Sequence, residues 1–355
     1  MILAVKQKNA ISSLALCSIL CLVTALFFSS CSKNQEPADF VVFTGATMGT
    51  TYAIKVSDFP DTLAKKQVQQ DIEKLLERIN RSMSTYLPDS EISSFNRFNS
   101  SSLFPVSPLF FQVVQESLRI SSLTDGALDI TVAPLVNLWG FGPVRQLKPV
   151  VPDEEKIKAL KKRIGYKKIK VKVDPPAIGK ANPELTIDLS SVAKGFAVDQ
   201  VGMLLESTGL THYLVEIGGE IRAGGQKAHQ SPWIVGIERP ADHERTIQRV
   251  ISMENNSMAT SGDYRNYFEK DNHRFSHLID PNTGRPVDHR LASVSVIHKS
   301  CMTADAFATA FMIMGSEKGY QLALRENLAA YFLDRTQSGF EMKMTPAFET
   351  LIVKN

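Results

Sequence analysis

One acidic residue within an apolar helix constrains this chain more than any other feature of its sequence. The stretch Thr303–Met314 is rich in Ala, Phe and Met, follows a strand-like alternation over residues 293–296, and predicts a helix. Asp305 and Thr309 are four residues apart, so they project from one face of this helix near its start. An isolated carboxylate among apolar side chains is costly to bury, and it therefore needs a hydrogen-bond donor or a cation.

Two interpretations of this pair follow from the residues alone. In the first, Asp305 accepts hydrogen bonds from the free N–H groups of a helix start, and Thr309 bonds back to a carbonyl. In the second, the two oxygens hold a hard cation such as Mg²⁺, whose shell is completed by a backbone carbonyl and substrate phosphates. The helix by itself does not decide between them.

Length and charge limit the classes of protein that remain. The chain has 355 residues, 43% of them hydrophobic, which is enough to bury a large core in one domain or two. The formal net charge is only +3. The one local basic cluster, Lys161–Lys172, is typical of a solvated helix followed by the outward face of a strand, with Ile169, Val171 and Val173 pointing inward. We therefore expect no nucleic-acid partner.

The N-terminus has the organisation of an exported protein. Lys6 and Lys8 precede an apolar run over residues 11–28, and small residues then lead to Cys31. This is the pattern of a secretory signal peptide, and the Cys31 position resembles the lipobox of bacterial lipoproteins, in which that cysteine is lipidated. Because the run also approaches the length of a bilayer span, an uncleaved transmembrane anchor is the alternative.

Three parts are predicted from this pattern: a lipoprotein signal peptide at 1–30, a tether at 31–40 and a folded domain at 41–355. We expect the domain to face the periplasm, held on a bacterial membrane, the inner one, by a palmitate-bearing lipid on Cys31. Cys301 is then the only cysteine of the folded body, so no intramolecular disulfide forms there and stability comes from the core. No Cys–His signature surrounds Cys301, which argues against a nucleophilic role.

Helix and strand patterns are mixed along the chain without a regular alternation. An apolar stripe predicts a helix within residues 61–80, and a second helix follows at 108–123. Three strands, Tyr213–Ile217, Glu220–Ala223 and Trp233–Glu238, are joined by glycine turns. We therefore expect an α+β fold with a mostly antiparallel sheet flanked by helices.

Several common catalytic motifs are missing from the sequence. There is no G-x-x-x-x-G-K-[ST], no H-E-x-x-H, no C-x-x-C and no G-x-S-x-G. Zinc chemistry and the common nucleotide hydrolase folds lose most of their support.

A series of short motifs, in a fixed order, resembles the ApbE family of FAD:protein FMN transferases. The motifs are Met48-Gly49-Thr50, Ser84-Thr85-Tyr86, Gly126-x-x-Asp129-x-Thr131-x-x-Pro134-Leu135, Asp188-x-x-Ser191-x-Ala193-Lys194-Gly195, Gly218-Gly219-Glu220, Ser261-Gly262-Asp263-Tyr264, His277-x-Ile279-Asp280-Pro281-x-Thr283-Gly284 and Thr303-Ala304-Asp305-Ala306-x-x-Thr309. Each motif alone is weak, but together they cover nearly the whole predicted exported domain.

The resemblance implies a fold and an activity. The fold is a single ApbE-like (T-fold-like) domain. The activity is Mg²⁺-dependent cleavage of FAD at its pyrophosphate, with the FMN part esterified to a Thr or Ser of another exported protein and AMP released. Expected acceptors are flavin-bearing subunits of redox membrane complexes, of the Rnf type or the sodium-translocating quinone reductases.

The resemblance also assigns roles to individual residues. The Mg²⁺ ligands would be Asp305, Thr309 and the carbonyl of Ser191, and His277 would be the general base for the acceptor hydroxyl. The residues expected to contact FAD are Met48, Thr85, Tyr86, Leu87, Gly126, Asp188, Lys194 and Ile279. Tyr86 would stack near the isoalloxazine ring, the alternative being a core tyrosine.

Two carboxylates keep open alternatives. Asp188 either holds part of FAD by hydrogen bonds or caps the helix that follows it. Asp129 either contacts FAD or ties its own loop together. Two other functions would use the same residues: a hydrolase that releases free FMN and AMP, and a flavin-binding lipoprotein that stores or carries FAD without turnover.

Overall fold

The computed structural model describes residues 40–142, 151–227, 230–240, 246–264, 266–271 and 273–353. The predicted signal peptide, Cys31 and the tether up to Asp39 lie outside these residues, and the first described residue, Phe40, already belongs to a strand. None of the described helices combines the length and apolar character needed to cross a bilayer.

Helices and strands alternate irregularly along the described chain, as the sequence predicted. The helices are α1 (Lys65–Met83), α2 (Glu91–Arg97), α3 (Pro108–Leu123), α4 (Ala133–Leu138), α5 (Glu154–Arg163), α6 (Ser190–Ser207), α7 (Cys301–Met314), α8 (Ser316–Arg325) and α9 (Pro346–Glu349). The strands are β1 (Phe40–Thr47), β2 (Thr50–Ser57), β3 (Phe104–Pro105), β4 (Ile169–Lys172), β5 (Ala177–Lys180), β6 (Tyr213–Ile217), β7 (Glu220–Gly224), β8 (Trp233–Glu238), β9 (Ile247–Met253), β10 (Ser257–Gly262), β11 (Tyr267–Lys270), β12 (His273–Ser276), β13 (Ile279–Asp280), β14 (Arg285–Pro286), β15 (Leu291–His298), β16 (Ala329–Thr336) and β17 (Gly339–Met344).

The main sheet has eight strands in the order β1-β2-β6-β7-β10-β15-β16-β17. Every neighbouring pair in this sheet is antiparallel. Helices α1, α3, α6 and α7 contribute their apolar residues to the core on one side. The prediction of an α+β fold with a mostly antiparallel sheet and flanking helices is confirmed.

The two faces of the sheet bury different residues of the same strands. In β16, Ala330 and Phe332 belong to the core under the helices, whereas Tyr331 and Leu333 pack with the β8–β9 hairpin on the opposite side. Successive side chains of a strand point to opposite faces, so a strand with both faces covered is apolar throughout. The sheet therefore lies between a helical layer and a smaller β-hairpin layer.

One detail of the basic cluster differs from the prediction. Ile169 is buried, but the side chains of Val171 and Val173 are 44% and 67% exposed. Strand β4 lies at the edge of a three-stranded sheet with the order β3-β5-β4, so only its first apolar residue reaches the core. The expectation that Val171 and Val173 point inward is wrong.

Candidate active site

A cavity of about 360 Å³ collects most of the residues that the sequence nominated. It lies against α6, α7 and the loops before β13. The predicted site residues in its wall are Thr85, Tyr86, Asp188, Ser191, Lys194, His277, Ile279, Asp305 and Thr309. Residues more than 200 positions apart in the chain, such as Thr85 and Asp305, thus share one wall.

Three nominated residues do not line this cavity: Met48, Leu87 and Gly126. Met48 has a φ of 50° in the turn between β1 and β2. Gly126 has a φ of 79° just after α3, where an added Cβ would lie 3.3 Å from the Tyr166 ring. The local role of both residues is to form a turn, and the cavity is lined instead by the neighbours of Gly126, residues 127–129.

Asp305 does not cap its helix. Helix α7 begins at Cys301, and the Ser300 hydroxyl accepts from the N–H of Thr303. The buried carboxylate of Asp199 accepts from the N–H groups of Cys301 and Met302 at 2.9 and 3.0 Å. The helix-start interpretation of Asp305 is therefore wrong, because other residues already satisfy the first turn.

The Asp305 carboxylate is instead aimed at α6. Its residue is 4% exposed, and Oδ2 accepts from the N–H of Gly195 at 3.0 Å. In a regular helix that N–H donates to the carbonyl of Ser191. Because Asp305 competes for the same N–H, the Ser191 carbonyl oxygen is less strongly hydrogen-bonded. Burial raises the pKa of Asp305, and the Lys194 ammonium opposes the rise.

Gly195 makes the close contact between α6 and α7 possible. A Cβ at this position would lie 2.4 Å from the Cys301 carbonyl oxygen and 2.8 Å from the Asp305 Cβ. Only glycine lets the two helices approach to this distance. The motif glycine therefore positions Asp305, Thr309 and Ser191 on one cavity wall.

An ion pair crosses the back of the cavity. Lys194 Nζ lies 2.5 Å from Glu220 Oε1, with the two side chains 33% and 3% exposed. Burial works against the charged ammonium, but the carboxylates of Asp305 and Glu220 outweigh it and raise the pKa of Lys194. Burial raises the pKa of Glu220 to about 7, against the pull of Lys194.

These groups fit a divalent cation. Two buried carboxylates share one ammonium, and Glu220 Oε2 is buried with no hydrogen-bond partner. A hard cation would compensate the excess negative charge. The described residues hold no group of three or more His, Cys, Asp and Glu side chains arranged for a metal. A metal here would therefore rely on hydroxyl, carbonyl and substrate oxygens beside Asp305.

Both carboxylates with open alternatives make local hydrogen bonds, and the alternative in which each contacts FAD stays a prediction. Asp188 Oδ1 accepts from the N–H of Ser190 at 2.7 Å at the start of α6, while the residue also lines the cavity. Asp129 accepts from the N–H and hydroxyl of Thr131 and from the N–H of Tyr166. Asp129 therefore ties its loop together, and its hydrogen bonds do not offset the burial that raises its pKa.

One ring nitrogen of His277, Nδ1, has a hydrogen-bond partner that defines which nitrogen carries the proton. Nδ1 lies 3.0 Å from the backbone carbonyl oxygen of Asn266. A carbonyl only accepts, so Nδ1 carries the proton and Nε2 of the neutral ring keeps its lone pair. Burial lowers the pKa of His277, which favours the neutral ring near neutral pH.

Tyr86 is not a core residue. It is 73% exposed and lines the cavity, so its ring offers a flat face at the edge of the site. The core alternative for Tyr86 is wrong. Sequence reasoning gave no role to Glu220 or Asn266, although Glu220 stands in a quoted motif.

Comparison with known proteins identifies the family. A sequence model described as the ApbE family matches residues 48–332. The chain belongs to the ApbE family. An ApbE-family protein of Vibrio cholerae, named FAD:protein FMN transferase, is 44% identical over 95% of this chain and 99% of its own length. A protein of the same name from Escherichia coli K12 is 39% identical over 94% of this chain and 96% of its own.

Solved structures of ApbE-family proteins agree in fold. The flavin transferase ApbE from Vibrio cholerae superimposes with a TM-score of 0.82 at 44% identity, covering 89% of this chain and all of that one. The apo flavinyl transferase ApbE of Pseudomonas stutzeri gives a TM-score of 0.81 at 40% identity, covering 88% of this chain and 96% of that one. The resemblance inferred from the motifs is confirmed.

Proposed function

We propose that this protein is an Mg²⁺-dependent flavin transferase that moves the FMN part of FAD to a Thr or Ser hydroxyl of another protein and releases AMP. One observation carries the proposal: Asp305, Thr309, Ser191, Lys194 and His277 line a single cavity. The names of its ApbE-family relatives, FAD:protein FMN transferase, support the same activity.

The reaction requires one bond to form and one to break. The acceptor hydroxyl oxygen attacks the phosphorus on the riboflavin side of the pyrophosphate, and the P–O bond to AMP breaks. His277 Nε2 takes the hydroxyl proton, because Nδ1 is held by the Asn266 carbonyl. AMP leaves with the bridging oxygen.

The remaining side chains position FAD and balance charge. Lys194 offers an ammonium near the phosphates, and Glu220 fixes its direction. Tyr86 offers a ring face for the flavin, and Ile279 adds buried apolar surface. When bound, Mg²⁺ would be held by Asp305, Thr309 and the Ser191 carbonyl, and it would neutralise charge on the phosphate oxygens.

Product analysis with and without an acceptor tests this proposal. The purified protein is mixed with FAD, Mg²⁺ and the exported domain of an Rnf-type or sodium-translocating quinone reductase flavin subunit. We expect a covalent, fluorescent acceptor whose mass increases by one FMN, with AMP in equal amount. The matched control acceptor has the target Thr replaced by Val and should stay unmodified.

Three outcomes would contradict a transferase. No covalent product with several such acceptors removes the activity. FMN release at the same rate without acceptor indicates a hydrolase. FAD binding with no turnover under any condition indicates a flavin carrier.

We also propose that the protein acts on the periplasmic side of a bacterial inner membrane. The sequence pattern around Cys31 supports a lipid anchor there. A membrane-held transferase would work beside acceptor subunits that are themselves part of membrane complexes.

A further inference from the structure

A second cavity adjoins the first at His277. Its volume is about 600 Å³. Six residues line both cavities: Lys194, Glu220, Thr260, Ser261, Asn266 and His277. The three candidates for metal binding line the first cavity but not the second. A ligand in the second cavity would therefore contact His277 and leave the metal-binding wall to FAD.

In the main sheet, the pairing between β7 and β10 stops beside this second cavity. Within the described residues, β7 and β10 share two residue pairs, Arg222 with Ser257 and Ile221 with Met258. Strand β10 stays paired with β15 as far as Gly262. Strand β7 begins at Glu220, directly after the Gly218–Gly219 turn, and β10 runs on past that point. The second half of β10 therefore borders the cavity on the side where β7 has ended.

The backbone groups of Thr260 and Gly262 face this opening. The carbonyl of Asn256 accepts from Ala223 in β7, whereas the N–H of Asp263 donates to Ala292 in β15. Backbone groups alternate in direction along a strand, so the even-numbered residues of β10 are directed to the β7 side. No other described strand pairs with Thr260 or Gly262 on that side. An unpaired edge of this kind is a template for an added strand.

Glycines leave room for another main chain beside that edge. Gly218, Gly219, Gly236 and Gly262 all line the cavity. At Gly219 an added Cβ would have no heavy atom within 4 Å. A peptide backbone can approach Gly219 closely because no side chain stands in its way there.

The charges of the lining favour a peptide over a nucleotide. Lys194 is the only Lys or Arg among the described lining residues, and it already pairs with Glu220. Glu216 adds a carboxylate, whose Oε1 accepts from the N–H of Gly219 at 2.6 Å. With FAD in the first cavity, a phosphate in the second cavity would find this shared ammonium already engaged and would lack the metal-binding wall, whereas the backbone of a peptide is neutral and pairs with the strand edge.

We infer that an extended segment of the acceptor protein occupies the second cavity, pairs with the free edge of β10 and presents its Thr or Ser hydroxyl to His277 Nε2. The inference rests on the proposed transferase function, since it assigns a place to the second substrate. Main-chain hydrogen bonds would supply affinity, and alternate side chains of the segment would supply selectivity.

A matched pair of β8 variants tests the location. Gly236 lines the second cavity but not the first, and its nearest neighbour for an added Cβ is the exposed side chain of Ile247 at 3.2 Å. Ile234 lies on the same face of β8 and lines neither cavity. We expect Gly236→Phe to raise the KM for the acceptor domain at least about tenfold by filling the cavity, while Ile234→Phe leaves it unchanged. Neither variant should alter FAD affinity.

Two results of that comparison would overturn the inference. An unchanged acceptor KM in a folded Gly236→Phe protein places the acceptor elsewhere. A loss of FAD affinity in Gly236→Phe places part of the nucleotide in this cavity instead.

Hydrogen exchange tests the strand pairing directly. The acceptor domain with Thr replaced by Val binds without reacting, so the complex can be followed at equilibrium. We expect its binding to slow amide exchange at Thr260 and Gly262 by about tenfold or more, because their N–H groups gain partners. Ala259 and Ser261 are directed to β15 and serve as internal controls.

The two levels of the hypothesis fail separately. If the unmodified protein transfers FMN to the acceptor but the Thr260 and Gly262 amides stay unprotected, the docking site is wrong and the function stands. If the unmodified protein transfers FMN to no acceptor, the proposed function itself is wrong.

Discussion

A single hydrogen bond decides which nitrogen of His277 can act as a base. Because Nδ1 donates to the Asn266 carbonyl, Nε2 remains the proton acceptor. We predict that His277→Gln lowers the transfer rate by about 10²–10⁴-fold and leaves FAD affinity unchanged. His273→Gln is the control, since His273 is exposed on β12 and lines neither cavity.

The pH dependence of transfer follows from the same residue. The active form is the neutral ring, so the rate should rise with pH as His277 loses its proton. Burial lowers the pKa of His277, which places this rise below the pH at which an ordinary histidine titrates, near 6.5. A rate plateau reached only above the ordinary histidine range would contradict the role of the half-buried His277 as the base.

Asp305 and Asp199 are both buried carboxylates on the same pair of helices. Replacing each of them by asparagine should separate stabilisation by Mg²⁺ from stability without Mg²⁺. At Mg²⁺ about 100-fold above its Kd, the protein should gain about 2.7 kcal/mol of unfolding free energy. We predict that Asp305→Asn abolishes this gain without loss of fold, because an amide oxygen still accepts from Gly195. Thermal unfolding with and without Mg²⁺ measures it.

Asp199→Asn is the structural counterpart. Asp199 accepts from Ser300, Cys301 and Met302 and pairs with Arg222 at 3.1 Å. Removing its charge weakens the ion pair with Arg222 and the hydrogen bonds to the N–H groups at the start of α7. The free energy of unfolding without Mg²⁺ should therefore fall by about 3 kcal/mol. The Mg²⁺-induced gain should survive. A normal Mg²⁺ response in Asp305→Asn would exclude Asp305 as a ligand.

At the scale of elements, the contact of α6 with α7 sets the geometry of the site. We predict that Gly195→Ala destabilises the protein by about 1–3 kcal/mol and weakens Mg²⁺ binding, because its Cβ would meet the Cys301 carbonyl. Gly236→Ala is the control, since its Cβ meets only a movable side chain. Calorimetric Mg²⁺ titration and thermal unfolding measure both effects, and an unchanged Mg²⁺ affinity in Gly195→Ala would contradict this coupling.

Elements with a clear periodicity were predictable from the sequence. The stripe Val68, Ile72, Leu75, Leu76 and Ile79 is buried in α1, and strands β6, β7 and β8 lie within a residue of their predicted bounds. Local pattern fails where tertiary context decides. Val171 has the alternation of a half-buried strand, but β4 is an edge strand, so Val171 stays exposed.

The candidate site was predictable only as a set of motif residues. Sequence spacing places Asp305 and Thr309 on one face, since both belong to one helix. It cannot show that Asp199, about a hundred positions earlier, satisfies the start of that helix and frees Asp305. Nor can it show that β7 begins short of the end of β10 and leaves the sheet open beside His277, because that depends on pairing between distant strands.

At the scale of the whole molecule, attachment and catalysis should be separable. We predict that Cys31→Ser abolishes incorporation of labelled palmitate and moves the protein from the membrane to the soluble fraction. The proposed FAD site lies within the described domain, so purified Cys31→Ser protein should transfer FMN at the unaltered rate. Ser32→Ala is a neighbouring control. Continued labelling of Cys31→Ser would exclude the lipid anchor at Cys31.

The ion pair of Lys194 with Glu220 stands in the wall that both cavities share. A phosphate that attracts Lys194 from one side withdraws it from Glu220, whose carboxylate also faces the other side. With the acceptor docked as proposed, the two substrates would be in thermodynamic linkage: any factor by which FAD changes the affinity for the acceptor is the factor by which the acceptor changes the affinity for FAD. The affinities for FAD and for the acceptor would then be coupled through this one ion pair.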